Sequence, residues 1–388
     1  MNLNKREVQS VLTISSIVSL RLLGIFLILP VFSIYTRDYP GATLTLSGLA
    51  FGIYALFQSL LQIPFGWASD RIGRKKVLIT GLLLFSAGSI VCALAKNIDQ
   101  LIFARALQGF GAVGSVAIAA LGDLTRPAVR TQSFTITGIV IGSSFIFSLV
   151  AGPLLASVYG FKSLFYILAI LGIIALLLTI FFFPHIESEK HEDTGIEFLP
   201  FFRDKEIEKL FLAAFTVSFL LNLFLFIYPL SLHLANVNIG NIWEIYLIII
   251  LPSAFFVYPY IRYSEKKGTL GLSTKLGFVF LLSAFIFYIF GQNIKTVLYI
   301  CGMVYFLGHT IYQSVLPSFL TLRIPAKNRG ISSGFYNLFS FFGASMGGIF
   351  AGMMYEYNKH LPLYVCIFLI IIWVLIGLPR PPDEELMN

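Results

Sequence analysis

Apolar windows of about 20 residues recur along the whole chain, and this repetition limits the possible folds more than any other feature. A helix rises about 1.5 Å per residue, so about 20 residues cross a hydrocarbon core of about 30 Å. Hydrophobic residues make up 57% of the 388 residues, and charged residues make up only 12%, about half the share in soluble domains. The sequence therefore predicts an all-α, multi-pass protein whose solvent is the lipid bilayer.

Charges and turn residues divide the sequence into twelve predicted spans. These lie near 10–35, 44–68, 76–95, 99–122, 132–159, 163–184, 208–235, 241–261, 272–291, 295–322, 330–355 and 361–379. The first run follows Lys5 and Arg6, as a secretory signal would, but it is too long for one and lacks a small-residue cleavage pattern. We expect a six-helix bundle at 1–184, a cytoplasmic linker at 185–207, and a second six-helix bundle with a short tail at 208–388.

The basic residues favour one orientation. The net charge of +8 comes from short Lys and Arg clusters between the apolar windows and not from one basic face, which argues against nucleic acid as a partner. Most of these clusters fall in the segments that face the cytoplasm if both termini do, as the positive-inside rule requires. We expect a monomer in the cell (cytoplasmic) membrane, with both termini cytoplasmic.

No cofactor or metal site is predicted. Cys92, Cys301 and Cys366 each lie inside an apolar window, without Cys-x-x-Cys spacing or a flanking His, so they are interpreted as packing residues. An integral-membrane enzyme is the alternative class. The sequence shows no Asp-rich metal motif, no paired acids within spans and no nucleophile with a base at suitable spacing, so we expect no enzyme.

The turn between predicted spans 2 and 3 carries the most informative motif, Gly66-Trp-Ala-Ser-Asp70-Arg71-Ile-Gly73-Arg74-Lys75-Lys76. A small residue at Gly66 would let two helices approach, and Gly73 would permit a tight turn. Asp70 is placed where it could accept hydrogen bonds from a helix N-terminus. The alternative interpretation is a basic loop that only sets topology.

These residues resemble the signature loop of the major facilitator superfamily, Gly-x-x-x-Asp-Arg-x-Gly-Arg-Lys. Span 4 carries a second similar motif, Arg105-Ala-Leu-Gln108-Gly109-Phe-Gly111-Ala. Span 1 from Leu20 to Pro30, together with Asp123-Leu-Thr-Arg126, resembles the YajR-type branch of drug/proton antiporters. That branch has a further C-terminal domain, which we expect this chain to lack because it ends soon after span 12.

The resemblance implies a conformational gate. Asp70 would meet the N-terminal end of span 11 and Arg74 would pair with Asp123, and these contacts would hold the inner side closed. Span 5 carries a weakened antiporter glycine motif, with helix-packing roles implied for Gly138, Gly142, Gly152 and Pro153; Leu154 to Ser157 stand where further glycines would follow. Duplicated halves, with Pro and Arg before a glycine-rich helix in both, are typical of alternating access.

Ionisable residues within spans are costly and mark functional candidates. Arg21 lies deep in span 1. Its role would be either in the cavity or in proton coupling, or else it would only hydrogen-bond to backbone carbonyls. The resemblance assigns Arg105 to proton transfer or substrate charge, whereas the alternative is a bond to Gln108 or a neighbouring helix. Gln58 and Gln62 share one face of span 2 and would line the pore or join helices.

The second half offers fewer candidates. His309 would be either a proton carrier or a buried histidine satisfied by a neighbour, with Gln313 one turn away. Glu244 would couple to protons at the outer loop, near His233, or be simply interfacial. Asn222, Gln313, Tyr336 and Asn337 are predicted to line the cavity because polar groups avoid lipid.

The sequence therefore predicts a secondary transporter whose partners are a small-molecule substrate, protons and the bilayer. A cavity walled by aromatic residues and a few amides favours an amphiphilic or drug-like solute, exported in exchange for protons. The alternative within the same fold is uptake or facilitated diffusion of a metabolite such as a sugar or organic acid.

Overall fold

A computed structural model of the chain describes residues 3–184, 204–324 and 329–381. These residues form fourteen α-helices and two short 3₁₀ helices, with no strand among them. The helices are α1 (Lys5–Ile28), α2 (Phe32–Tyr35), α3 (Leu44–Ile72), α4 (Arg74–Leu94), α5 (Ile98–Gly109), α6 (Gly114–Asp123), α7 (Pro127–Tyr159), α8 (Phe161–Phe182), α9 (Lys205–Leu234), α10 (Ile242–Lys266), α11 (Leu270–Gly291), α12 (Lys295–Arg323), α13 (Arg329–Tyr357) and α14 (Leu361–Ile376). The all-α prediction is confirmed.

The predicted spans correspond in order to these helices. Within the described residues, ten helical segments are long and apolar enough to cross a bilayer. The helix α14 is apolar but has only 16 residues, and α12 is long but carries His309 and Gln313 near its middle. Many large apolar side chains are exposed, as expected for helices that face lipid.

Two predicted spans are interrupted. Span 1 is not one helix, because α1 ends at Ile28 and Pro30, which has no N–H to donate, precedes the short helix α2. Span 4 divides into α5 and α6 around the segment 110–113. A Cβ on Gly111 would lie 2.6 Å from the Gly81 carbonyl oxygen, so the break brings the chain close to the backbone of α4.

The chain divides into two compact units, residues 1–42 with 50–197 and residues 43–49 with 198–388. In the first unit, α1 packs against α7, and α4 packs against α5 and α8. In the second, α9 packs against α13, and α11 packs against α12 and α14. Within each half, the first span packs against the fifth, and the third span packs against the fourth and sixth. The same helix pairs therefore occur in both units, as duplicated halves predict.

Most of the predicted linker, 185–203, lies outside the described residues. The helix α9 begins at Lys205, slightly before the predicted start of span 7 near residue 208. The Asp204 side chain accepts a hydrogen bond from the Glu206 N–H, which caps the helix start.

Small and hydroxyl residues hold the helix pairs together. Between α1 and α7, Ser15 is hydrogen-bonded to Thr137 over 2.8 Å, and Ser148 donates to the Leu23 carbonyl oxygen over 3.0 Å. A Cβ on Gly152, which precedes the buried Pro153, would overlap the Leu27 carbonyl oxygen, so α1 and α7 approach closely here. In the second unit, Gly343 and Gly347 lie equally close to the backbone of α9.

Three other glycines have no close neighbour among the described residues. Gly138 and Gly142 are exposed on α7, and a Cβ on either would meet no described atom within 4 Å. A Cβ on Gly66 would come no closer than 3.9 Å to Ser115 Oγ, an ordinary van der Waals separation. Glycine spacing in the sequence does not reveal which face of a helix a neighbour covers.

Candidate functional site

A polar cluster joins the α3–α4 turn to the end of α6. Arg74 forms an ion pair with Asp70 one turn earlier, and its Nε donates to Asp123 Oδ2 over 3.0 Å. Its Nη1 also donates to Ser69 Oγ over 2.5 Å. The Arg74 side chain is only 12% exposed, so one nearly buried guanidinium serves both carboxylates.

The turn geometry places this guanidinium. Gly73 separates α3 from α4 with φ of 99°, a backbone conformation that side-chain-bearing residues rarely adopt, so the turn requires glycine. Arg71 stacks over the Trp67 ring at 4.1 Å, outside the cluster. Lys75 Nζ donates to the Ile180 carbonyl oxygen over 2.7 Å and ties the start of α4 to α8.

The expected contact between Arg74 and Asp123 is present, and its role in a gate stays a prediction. The expected partner of Asp70, the start of span 11, adjoins residues 325–328, which lie outside the described residues. Asp70 is 49% exposed and contacts Arg74.

A second ion pair, which sequence reasoning missed, joins α1 to the segment between α6 and α7. Arg126 Nε and Nη2 donate to the two carboxylate oxygens of Glu7 over 2.7 and 2.9 Å. Glu7 also exchanges hydrogen bonds with Asn4 in a capping box, and its side chain is only 4% exposed. The Glu7 hydrogen bond raises the pKa of Arg126. The Asn4-x-x-Glu7 spacing was the available signal, and it indicates the helix start but not the distant arginine.

We expect Glu7→Gln to lower the melting temperature of the purified protein, because the amide cannot accept both Arg126 hydrogen bonds and balance its charge. Glu208→Gln is a matched control, since Glu208 lies in the first turn of α9, as Glu7 does in α1, and forms no ion pair with any described residue. A melting temperature equal to that of the control would contradict a structural role for the pair. Scanning fluorimetry in detergent measures both variants.

Two arginines lie inside the first unit. Arg105 is 1% exposed, and it donates to Gln108 Oε1 over 2.5 Å and to the Ala50 and Phe51 carbonyl oxygens over 3.3 and 3.5 Å. Gln108 in turn donates to Ser89 over 2.7 Å. The predicted bond between Arg105 and Gln108 is therefore present, and Arg105 is held by three acceptors.

Arg21 is equally buried, at 1% exposure, but it is held differently. Its Nη2 donates to the Tyr54 hydroxyl over 3.0 Å, and its guanidinium lies 5.7 Å from the centre of the Phe85 ring. Arg21 Nε has no hydrogen-bond acceptor in the part of the chain that the structure describes. Hydrogen bonding to backbone carbonyls was one of the two predicted roles of Arg21. Among the described residues, Arg21 forms no such hydrogen bond.

The glutamines of α3 join helices. Gln58 Nε2 donates to the Gly109 carbonyl oxygen over 2.8 Å, and Gln62 Oε1 accepts from the Ser115 N–H over 3.0 Å. Both side chains are buried. Of their two predicted roles, helix-to-helix hydrogen bonding is the one observed.

In the second unit, His309 is buried among aromatic rings. Its ring stacks on Tyr305 with centroids 6.0 Å apart and meets Phe306 edge-on. Tyr305 stacks in turn on Phe224, with centroids 3.9 Å apart. The sequence placed His309 at mid-helix but could not show this aromatic surrounding.

The remaining candidates are dispersed. Asn222 is buried and donates to the Ser218 carbonyl oxygen of its own helix over 3.0 Å. Glu244 and Gln313 are exposed, Glu244 in the first turn of α10, where an acid suits the helix dipole. Tyr336 and Asn337 are half-buried on α13. Their predicted roles in coupling and cavity lining stay predictions.

Comparison with known proteins identifies the family. The Major Facilitator Superfamily profile matches residues 14–348. The inner membrane transport protein YajR of Escherichia coli (strain K12) is 33% identical over 347 residues, which cover 87% of this chain and 76% of YajR. The quinolone resistance protein NorA of Staphylococcus aureus (strain MSSA476) is 25% identical over 358 residues, 89% of each chain.

The fold has solved counterparts. The crystal structure of the human organic anion transporter MFSD10 matches with a TM-score of 0.74 at 17% identity, covering 96% of this chain and 100% of that one. The profile match and the one-third identity to YajR show that this multi-pass membrane protein belongs to the Major Facilitator Superfamily.

Proposed function

We propose that the chain is a secondary active transporter that exports a small amphiphilic or drug-like organic compound in exchange for protons, by alternating access. The observation that carries the proposal is Arg74, one nearly buried guanidinium that serves Asp70, Asp123 and Ser69 at the turn between two spans. A charge-assisted link that forms in one conformation and breaks in another shifts a two-state equilibrium. The similarity to YajR, an inner membrane transport protein, supports transport, and the similarity to NorA, a quinolone resistance protein, supports export of a drug-like compound.

The proton-handling group is the second part of the proposal. Across residues 3–184, 204–324 and 329–381, the acids lie in turns or within the first or last turns of helices. His309 is therefore the mid-helix side chain whose ordinary pKa lies nearest to neutral pH, and we assign proton exchange to it.

Flux in proteoliposomes tests the proposal. A fluorescent quinolone is the probe, and an imposed pH gradient should drive it against its concentration gradient. His309→Gln should abolish the acceleration by the gradient but leave downhill flux. Wild-type flux that does not respond to the gradient would refute proton exchange and favour facilitated diffusion.

Asp70→Asn should reduce transport at least about tenfold, which corresponds to about 1.4 kcal/mol in the conformational equilibrium. The protein should still fold and insert, because Asp70 is half exposed. Asp99→Asn, an exposed acid at the start of α5, is the matched control. Wild-type flux in Asp70→Asn would show that the loop only sets topology.

A further inference from the structure

The interior of the first unit carries uncompensated positive charge. Arg21 and Arg105 are both 1% exposed, and neither forms an ion pair with any described acid. Arginine does not lose its proton in proteins, so both side chains remain cationic. Aromatic rings face both guanidinium groups, but a ring quadrupole does not supply a unit of negative charge.

The two arginines differ in how completely they are bonded. Arg105 has three oxygen acceptors and is thereby fixed in position. Arg21 has one, the Tyr54 hydroxyl, and its Nε is buried without an acceptor among the described residues. A buried guanidinium N–H that lacks a partner is costly, so Arg21 is the group with unused donor capacity.

Tyr54 links the two cations. Its hydroxyl oxygen accepts from Arg21 Nη2 over 3.0 Å, and its ring lies 4.7 Å from the Arg105 guanidinium carbon. Once the oxygen accepts from Arg21, the hydroxyl proton is available for another acceptor, and no described residue provides one. Arg21 and Tyr54, which are in direct contact, therefore each have one unused donor, and the Arg105 charge lies next to Tyr54.

We propose that Arg21 and Tyr54 form a binding site for one anion, with Arg105 adding a fixed positive charge. A carboxylate of an organic substrate or a small inorganic anion would accept from Arg21 Nε and the Tyr54 hydroxyl and balance part of the buried charge. If the anion is a substrate carboxylate, the inference rests on the proposed transport function, and the substrate class is an organic acid. Both side chains are enclosed in this structure, so the site must open before an anion can bind.

Thermal unfolding of the full chain in detergent tests the site. The starting buffer contains a bulky organic sulfonate as its only anion. The probes are chloride, 2-naphthoate and the neutral 2-naphthamide. We expect naphthoate or chloride, but not naphthamide, to raise the melting temperature. If chloride raises the melting temperature and naphthoate does not, the ligand is an inorganic anion. If naphthoate raises it and chloride does not, the ligand is a substrate carboxylate.

Three variants decide between the site and a nonspecific charge effect. Arg21→Met should abolish the response to the anion, and Tyr54→Phe should weaken apparent binding about tenfold because it removes one hydrogen bond to a charged group. Lys96→Met removes an exposed charge and should respond like the wild type. Without anion, Arg21→Met should melt at a higher temperature than the wild type, because it removes an uncompensated charge.

Two results would overturn the proposal. One is a wild type that none of the anions stabilises; the other is an anion response that both Arg21→Met and Tyr54→Phe retain. If Arg21→Met does not fold, Tyr54→Phe alone decides. No gradient is present in this assay, so a failure of proton-driven flux would refute the proposed exchange without affecting the anion site.

Discussion

Gly152→Ala is expected to destabilise the protein strongly. The new methyl group would lie 2.0 Å from the Leu27 carbonyl oxygen, so α1 and α7 would have to separate. Separation would lengthen the Ser148 bond to the Leu23 carbonyl oxygen, which lies one helical turn away. Overpacking of this kind typically costs about 1 to 3 kcal/mol, and more where the obstacle is backbone, as here.

The same helix supplies the control. Gly138→Ala places its methyl group where no described atom lies within 4 Å and should be neutral or stabilising by up to about 1 kcal/mol, because alanine has the higher helix propensity. Cys92, Cys301 and Cys366 are free and buried, so a thiol-reactive dye reports unfolding in both variants through the native cysteines. Equal melting temperatures for Gly152→Ala and Gly138→Ala would contradict the close packing of α1 and α7.

Arg74→Ala is expected to cause the largest loss of transport among variants of the α3–α4 turn. The substitution removes the hydrogen bonds to Asp123 and Ser69 and the ion pair with Asp70 at once. Hydrogen bonds to charged groups contribute about 1.5 to 3 kcal/mol each, so a loss of flux of about 100-fold is expected even after allowance for solvent at the half-exposed Asp70. Flux of the quinolone in proteoliposomes measures it.

Two variants separate the geometry of Arg74 from its charge. Arg74→Lys keeps the charge but cannot reach three acceptors from one planar group, so it should recover only part of the flux. Lys76→Ala removes a nearby exposed charge and should transport like the wild type. Full flux in Arg74→Lys would show that charge alone suffices, and reduced flux in Lys76→Ala would indicate a general effect of loop charge.

Much of the fold was predictable because lipid imposes a simple rule. A segment that crosses a bilayer must satisfy its backbone internally, so length and hydropathy locate helices well. The structure departs from the predicted spans where backbone geometry depends on neighbours. The breaks near Pro30 and at 110–113 both depend on which helix lies alongside.

The candidate site was predictable only in part. The pairing of Arg74 with Asp123 followed from a motif, because the family resemblance carries the partner along with the residue. Glu7 and Tyr54 were not singled out, since one looks like a helix cap and the other like one of 18 tyrosines. Their partners, Arg126 and Arg21, lie 119 and 33 residues away along the chain.

The sequence by itself determined the solvent, the succession of helices and the family, because these depend on composition, periodicity and local motifs. Only the tertiary structure decided which buried charges are compensated. Arg105 and Arg21 look alike in the sequence, yet one is bonded by three oxygens and the other by a single hydroxyl. The reason is that the energy of a buried charge depends on acceptors from helices distant in sequence, and packing alone brings those acceptors within hydrogen-bond distance.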